Sequence, residues 1–141
     1  MNIGIFPSHD LNVDKLDWLR CVGRVADERG FHSLWMPEHV VMFDAISSQS
    51  PYRKEPLVAV EGLGTMDPLS CLAFLAAITT NVRLGTGICV LPQRQPLFLA
   101  KEATTIDILS SGRLDLGLGV GWVREEFEAL GGGLREKGGH R

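Results

Sequence analysis

The chain has 141 residues, 45% of them hydrophobic, and a formal net charge of −3. That is enough material for one globular domain with a core of its own. Its 14 Lys and Arg against 17 Asp and Glu leave no basic excess and no basic run, which excludes a nucleic-acid-binding surface of the ordinary kind.

Residues 2–6, NIGIF, read as a short apolar strand that stops at Pro7. In DKLDWLRCVGRVADERG the apolar residues Leu16, Leu19, Val22 and Ala26 recur at helical spacing, and Gly30 fits the left-handed position that ends a helix. FHSLW then supplies a second strand, and strand, helix, strand in this order predicts a parallel βαβ unit. Residues 40–66 form a connection whose length marks it as functional or mobile. MDPLSCLAFLAAITTN restarts the helical pattern, with Asp67 as N-cap and Pro68 at the first helical position. VRLGTGICVLP is a third strand interrupted by Gly85 and Gly87, and QPLFLAKEATTIDILSSG a third helix closed by Gly112. RLDLGLGVGW is a fourth strand ending in glycines, and REEFEAL opens a fourth helix. The tail GGGLREKGGHR, residues 131–141, is rich in glycine and charge and is expected to be disordered. Four consecutive βα units predict an α/β architecture on a parallel sheet, either doubly wound or a barrel.

In both architectures ligands gather at the C-terminal ends of the strands. Those ends read Pro7-Ser8-His9, Pro37-Glu38-His39, Gly87-Ile88-Cys89 and Gly119-Val120-Gly121-Trp122. Each carries ionisable, polar or backbone-exposing residues, and the helices carry no comparable cluster, which points to an enzyme. His39 reads either as a satisfied loop histidine or, beside Glu38, as half of a proton-carrying pair. Gly85 and Gly87 mark either a bulge without function or a close backbone approach. GLGVG at 117–121 is not the dinucleotide fingerprint, because its spacing is GxGxG and it follows a fourth strand rather than a first. Its glycines are expected to let a planar ring or a phosphate lie against the backbone. Cys89 reads as a core residue. Cys21, Cys71 and Cys89, odd in number and without CxxC spacing, read as reduced thiols, and His9, His32, His39 and His140 show no metal-ligand spacing. MNIGIFPSHD lacks the pattern of a secretory leader, and no apolar run approaches the roughly 20 residues of a membrane helix, so a cytoplasmic protein is expected.

Four stretches, ADERGFHSLWMPEH, NVRLGTGICVLPQRQP, AKEATTIDILSSGRLDLGLGVGW and REEFEALG, carry a resemblance from residue 2 to about 130. Together and in this order the chain resembles the luciferase-like flavin monooxygenase superfamily, most closely its branch of coenzyme F420 oxidoreductases. The resemblance implies a TIM (β/α)8 barrel, of which residues 1–130 would be the first four βα units, a half-barrel fragment, since a complete barrel takes about 250 residues. It implies an oxidoreductase or monooxygenase using F420, alternatively FMN, for hydride transfer or oxygen insertion on a small-molecule substrate. His39 matches the family's active-site histidine, with Glu38 as its catalytic neighbour. Gly87–Ile88 matches a non-prolyl cis peptide behind the cofactor ring. The cofactor-lining positions carried over are Pro7, His39, Thr86, Gly87, Ile88, Gly119, Val120, Gly121 and Trp122. Two departures stand out: Val120 replaces a basic residue that helps hold the phosphate in FMN-using relatives, and Gln95 stands before Pro96 where many relatives have histidine. A half-barrel leaves strand edges unpaired, so the chain is expected to self-associate or to be an inactive fragment that needs a partner chain.

Overall fold

The computed structural model describes residues 1–7, 14–43, 46–51 and 66–131. In chain order its elements are β1 (Gly4–Ile5), α1 (Lys15–Glu28), β2 (Ser33–Met36), α2 (Pro68–Ile78), β3 (Arg83–Thr86), β4 (Cys89–Val90), a 3-10 turn (Leu91–Gln93), α3 (Pro96–Leu109), β5 (Leu114–Asp115), β6 (Leu118–Gly119) and α4 (Arg124–Ala129). β1, β2, β3 and β5 pair in that order, every pair parallel, and β4 pairs with β6, also parallel. This is an α/β fold on a parallel sheet, as the alternation of periods in the sequence predicts. Ser8 and His9 of the first strand end, most of the 40–66 connection and the tail beyond residue 131 lie outside the described residues.

The helices begin where their caps dictate. Asp14 Oδ1 accepts from the backbone N–H groups of Leu16 and Asp17, Asp67 Oδ2 from Ser70, and Gln95 Oε1 from Phe98. Pro68 and Pro96 open α2 and α3, where a missing N–H costs nothing. Gly30 and Gly112, at φ of 70° and 78°, end α1 and α3. The core lies between the sheet and the helices: Leu34 and Met36 of β2 and Leu84 of β3 meet Leu72 and Leu75 of α2, all with no exposed surface. Cys89 is fully buried with them, in agreement with the reading from sequence, whereas Leu16, expected on the buried face of α1, is 44% exposed.

The third and fourth strands each divide in two. Residues 82–92 read as one strand interrupted by Gly85 and Gly87, and residues 113–122 as one unbroken strand; Gly85 lies within β3, the break falls at Gly87 and Ile88, and the fourth strand breaks as well, so the main sheet ends at Thr86 and Asp115 and a second ladder begins beyond. The interruption is a matter of hydrogen bonding. Thr86 Oγ1 and the Cys89 N–H both donate to the Gly117 carbonyl, at 2.7 and 2.8 Å, and the Gly87 N–H turns to Met36 O at 2.8 Å. A Cβ at residue 117 would stand 2.2 Å from the Thr86 carbonyl oxygen, so only glycine permits this approach. The Gly87–Ile88 peptide between the two segments is cis, as the resemblance implies.

At the N-terminal ends of the strands two polar groups tie the layers together. Asp27 of α1 accepts from the N–H groups of Thr80, Asn81 and Val82 and from Thr80 Oγ1, at 2.7 to 3.0 Å. The Arg113 guanidinium donates to Thr79 Oγ1 and to the carbonyls of Ala76, Thr79, Val82 and Ser110. Burial works to raise the Asp27 pKa, but these donors outweigh it and hold the carboxyl at about 2. Asp27→Ala is expected to cost about 2 kcal/mol at neutral pH, the worth of a charged acceptor with several backbone donors. A carboxyl whose folded pKa is depressed stabilises above its unfolded value, so the difference from wild type should shrink as pH falls from 3.8 towards 2. Urea unfolding of both proteins across that range checks it; a difference that persists unchanged at the acid end would refute the assignment.

Candidate functional site

The C-terminal ends of β2, β4 and β6 and the start of α4 enclose a cavity of about 650 Å³. Its walls are Phe6, Pro37, Glu38, His39, Pro51, Gly87, Ile88, Val90, residues 118 to 123, and Glu126. Of the residues expected there, Glu38, His39, Gly87, Ile88, Gly119, Val120, Gly121 and Trp122 come together on this one cavity. Pro7 and Thr86 do not line it: Phe6 takes the place expected of Pro7, and Thr86, fully buried, spends its hydroxyl on Gly117 O.

His39 lies just past β2, and its Nδ1 is 2.7 Å from Oε1 of Glu126 in the first turn of α4. Glu126 is only 2% exposed, and its Oε2 accepts from Gln93 Nε2 at 2.9 Å. The neighbouring Glu125 binds a different segment. Its carboxylate accepts from the N–H and hydroxyl of Ser47 and of Ser48, at 2.6 to 3.0 Å, and the Arg124 N–H donates to Ser48 Oγ. Those serine hydroxyls, with the backbone donors, hold the Glu125 carboxyl well below the usual range. Adjacent glutamates of one helical turn therefore fix His39 and the 46–51 segment, whose Pro51 reaches the cavity wall.

Glu38 has a different role from its expected one. It is buried at 6% exposure, and both oxygens are engaged: Oε2 accepts from the Val90 N–H, and Oε1 from Nε and Nη2 of Arg94. Arg94 Nη2 also reaches Asp67 Oδ1 at 2.6 Å. Burial alone would lower the Arg94 pKa, yet the two carboxylates hold it above its ordinary value. Glu38, expected to form a proton-carrying pair with His39, is thus engaged by Arg94 and the Val90 N–H, while His39 meets Glu126 instead. Nearby, burial pushes the Cys89 thiol up to about 11, with Glu38 adding to it.

Gly119 and Gly121 line the cavity, and the space a Cβ would take is filled at Gly119 by Ile88 (2.2 Å) and at Gly121 by Val90 and Phe127 (2.7 and 3.1 Å). These glycines let the neighbouring side chains pack directly against the backbone. What the cavity offers a ring is a largely apolar lining that includes Phe6, Ile88 and Trp122, with one imidazole on its wall. That composition and volume suit a flavin-type ring system. A phosphate tail is less well served, since no Lys or Arg stands among the described lining residues and Val120 is 69% exposed there.

Glu126, Gln93 and Arg94 were not identified from sequence. Glu126 left a readable signal: Val123, Glu126, Phe127 and Leu130 share one helical face, so a carboxylate sits on the side of α4 that turns inward. Arg94 and Gln93 lie in PQRQP, where proline spacing hides any period.

Removing Glu38 leaves a guanidinium and the Val90 N–H without their acceptor. Glu38→Ala should cost about 3 kcal/mol, the range for breaking a buried pair on one side. The double variant Glu38→Leu with Arg94→Met should recover all but about 1 kcal/mol, the share of the orphaned N–H. Urea midpoints of the three proteins test this; a double variant no better than the single would show that the pair is not the source of the loss.

The chain has counterparts among known proteins. Residues 1–139 match the family model described as luciferase-like monooxygenase. The chain is 35% identical over 111 residues to the oxygenase component of flavin-dependent trigonelline monooxygenase from Acinetobacter baylyi, covering 79% of this chain and 26% of that one. Among solved structures it is similar to monooxygenase RslO1 from Streptomyces bottropensis, at 29% identity and a TM-score of 0.73 over 96% of this chain and 37% of that one. It is also similar to the coenzyme F420 dependent tetrahydromethanopterin reductase from Methanopyrus kandleri, at 25% identity and a TM-score of 0.60 over 92% of this chain and 29% of that one. The chain spans between 24% and 37% of the length of the curated relatives it matches. With the family model covering nearly all of it, the chain belongs to the luciferase-like monooxygenase family.

Proposed function

We propose that this chain supplies the ring-binding half of a flavin-type oxidoreductase, its four βα units forming the first half of a (β/α)8 barrel. The observation that carries this reading is the convergence of the strand ends on one apolar cavity with His39 held at its wall by Glu126. FMN is the favoured cofactor and F420 the alternative, because the flavin-dependent relative is 35% identical and the F420-dependent one 25%. Bound in the cavity, a reduced flavin would supply a hydride or, with dioxygen, an oxygen atom for insertion into a small organic substrate. The chain's own part is to stack the ring against Phe6, Ile88 and Trp122, keep water from it, and move a proton at His39. Glu38 and Arg94 hold the corner from which His39 projects.

Titration with FMN, riboflavin and F420, followed by fluorescence, tests the reading. Both FMN and riboflavin should bind, with affinities within about 3-fold of each other, because no lining cation rewards the phosphate. Trp122→Ala should weaken both by about 10-fold, the loss of one stacked aromatic wall. Binding of none of the three would refute the proposal and favour the second reading, a fragment without activity of its own.

That second reading has an observation behind it. Among the described residues β1 and β5 form the outer edges of the sheet, and near them Phe6 (58%), Leu118 (48%) and Val120 (69%) are exposed. Such edges and apolar surface favour pairing, with a second copy of the chain or with the remainder of a family-length protein. At micromolar concentration the chain alone is expected to sediment as a dimer or larger; a well-behaved monomer would count against self-association.

A further inference from the structure

Neither carboxylate oxygen of Glu126 is idle, and the arrangement around it is one-directional. Gln93 presents its NH2 group to Oε2 at 2.9 Å, and in doing so leaves its own Oε1 buried without a partner. A buried acceptor without a donor is unfavourable, because it has given up water for nothing in return. The reverse amide orientation is worse, because it would set the Gln93 carbonyl against the carboxylate at the same 2.9 Å. Gln93 thus acts as a fixed donor that keeps the Glu126 carboxylate plane in one orientation, with Oε1 directed at His39 Nδ1. A histidine ring nitrogen facing such an acceptor carries the proton.

We propose that Gln93 and Glu126 are positioning residues that hold the neutral His39 ring as its Nδ1–H tautomer, so that Nε2 is the nitrogen that takes up a proton from the substrate. The step balances simply: a substrate proton moves to the Nε2 lone pair, a new N–H bond forms, and the positive charge on the ring lies 2.7 Å from the Glu126 carboxylate. Its catalytic meaning rests on the reading of His39 as the proton carrier, but the tautomer itself does not. Free neutral histidine in water favours the opposite, Nε2–H form, so the preference expected here has to be imposed by the protein. His39 also lines a second cavity of about 280 Å³ together with Asp67, Gln93 and Arg94, which puts the same relay in contact with both chambers.

The test is nuclear magnetic resonance of the whole chain labelled with nitrogen-15 at histidine, recorded well above neutral pH, with His39 assigned by the loss of its signals in His39→Gln. Wild type should show a protonated, pyrrole-type Nδ1 and a pyridine-type Nε2. Glu126→Leu should move most of the population to the Nε2–H form while circular dichroism stays unchanged, and Gln93→Leu should move a smaller part of it. A pyridine-type Nδ1 in wild type, or a tautomer indifferent to Glu126→Leu, would overturn the proposal. Should Glu126→Leu fail to fold, the wild-type spectrum decides alone. Flavin titration of the same samples separates the two readings, because failure to bind with the Nδ1–H tautomer intact would refute the cofactor assignment and leave this one standing.

Discussion

Four segments meet at the Glu38 carboxylate, and each brings something the others lack. β2 delivers the side chain, β4 offers the Val90 N–H, the turn after it brings Arg94, and Arg94 in turn reaches Asp67, the N-cap of α2. A carboxylate this far from water survives only if its lone pairs are taken and its charge is opposed. Both conditions are met, and meeting them fixes the end of β2 against the second ladder. His39 is the next residue, so its backbone direction is set by an interaction in which it takes no part. A side chain held in place through its neighbour's ion pair keeps its own ring for a different partner.

That partner arrives from the far end of the chain. The first turn of α4 places Glu126 under His39 and Glu125 under Ser47 and Ser48, so one short helix fixes both the imidazole and the segment beside the cavity mouth. The order of the residues makes this economical. Consecutive positions on a helix point about 100° apart, so one carboxylate faces inward to the half-buried histidine and the other faces the more exposed serines. The break that divides the last two strands belongs to the same construction. It turns Gly119 to Trp122 towards the cavity and lets α4 start where its glutamates can reach.

Much of the fold was legible because its signals are local. Asp67-Pro68 announced α2, Gly30 and Gly112 announced helix ends, and the alternation of strand and helix periods required a parallel sheet. Gly85 and Gly87 marked an interruption in the third strand, but the matching split of the fourth was not legible, because it depends on the Gly117 carbonyl accepting from two residues some 30 positions earlier in the chain. The site divides in the same way. His39 and the glycine-rich strand end could be located, since strand ends are where parallel folds keep ligands. The role of Glu38 could not, because adjacency in sequence to a histidine suggested a proton pair, whereas its ionic partner is Arg94, 56 positions on. Long-range charge pairing leaves no period for a pattern to catch.

The two ends of the sheet show how the polar groups are divided. At the N-terminal end Asp27 and Arg113 are consumed by backbone groups and bind helices to strands. At the C-terminal end the charges are consumed by one another or by serines: Glu38 by Arg94, Glu126 by His39 and Gln93, Glu125 by Ser47 and Ser48. What remains on the cavity wall after this pairing is chiefly apolar surface and peptide edges, with the imidazole as its titratable feature of catalytic interest. A wall of that kind selects a ligand by flatness and area rather than by charge. It also gives weight to the position of a single proton, because the carboxylates described on this wall are already bonded. The carboxylates of this site are therefore best understood as fixing where that proton sits, a task that needs them buried and bonded rather than free to react.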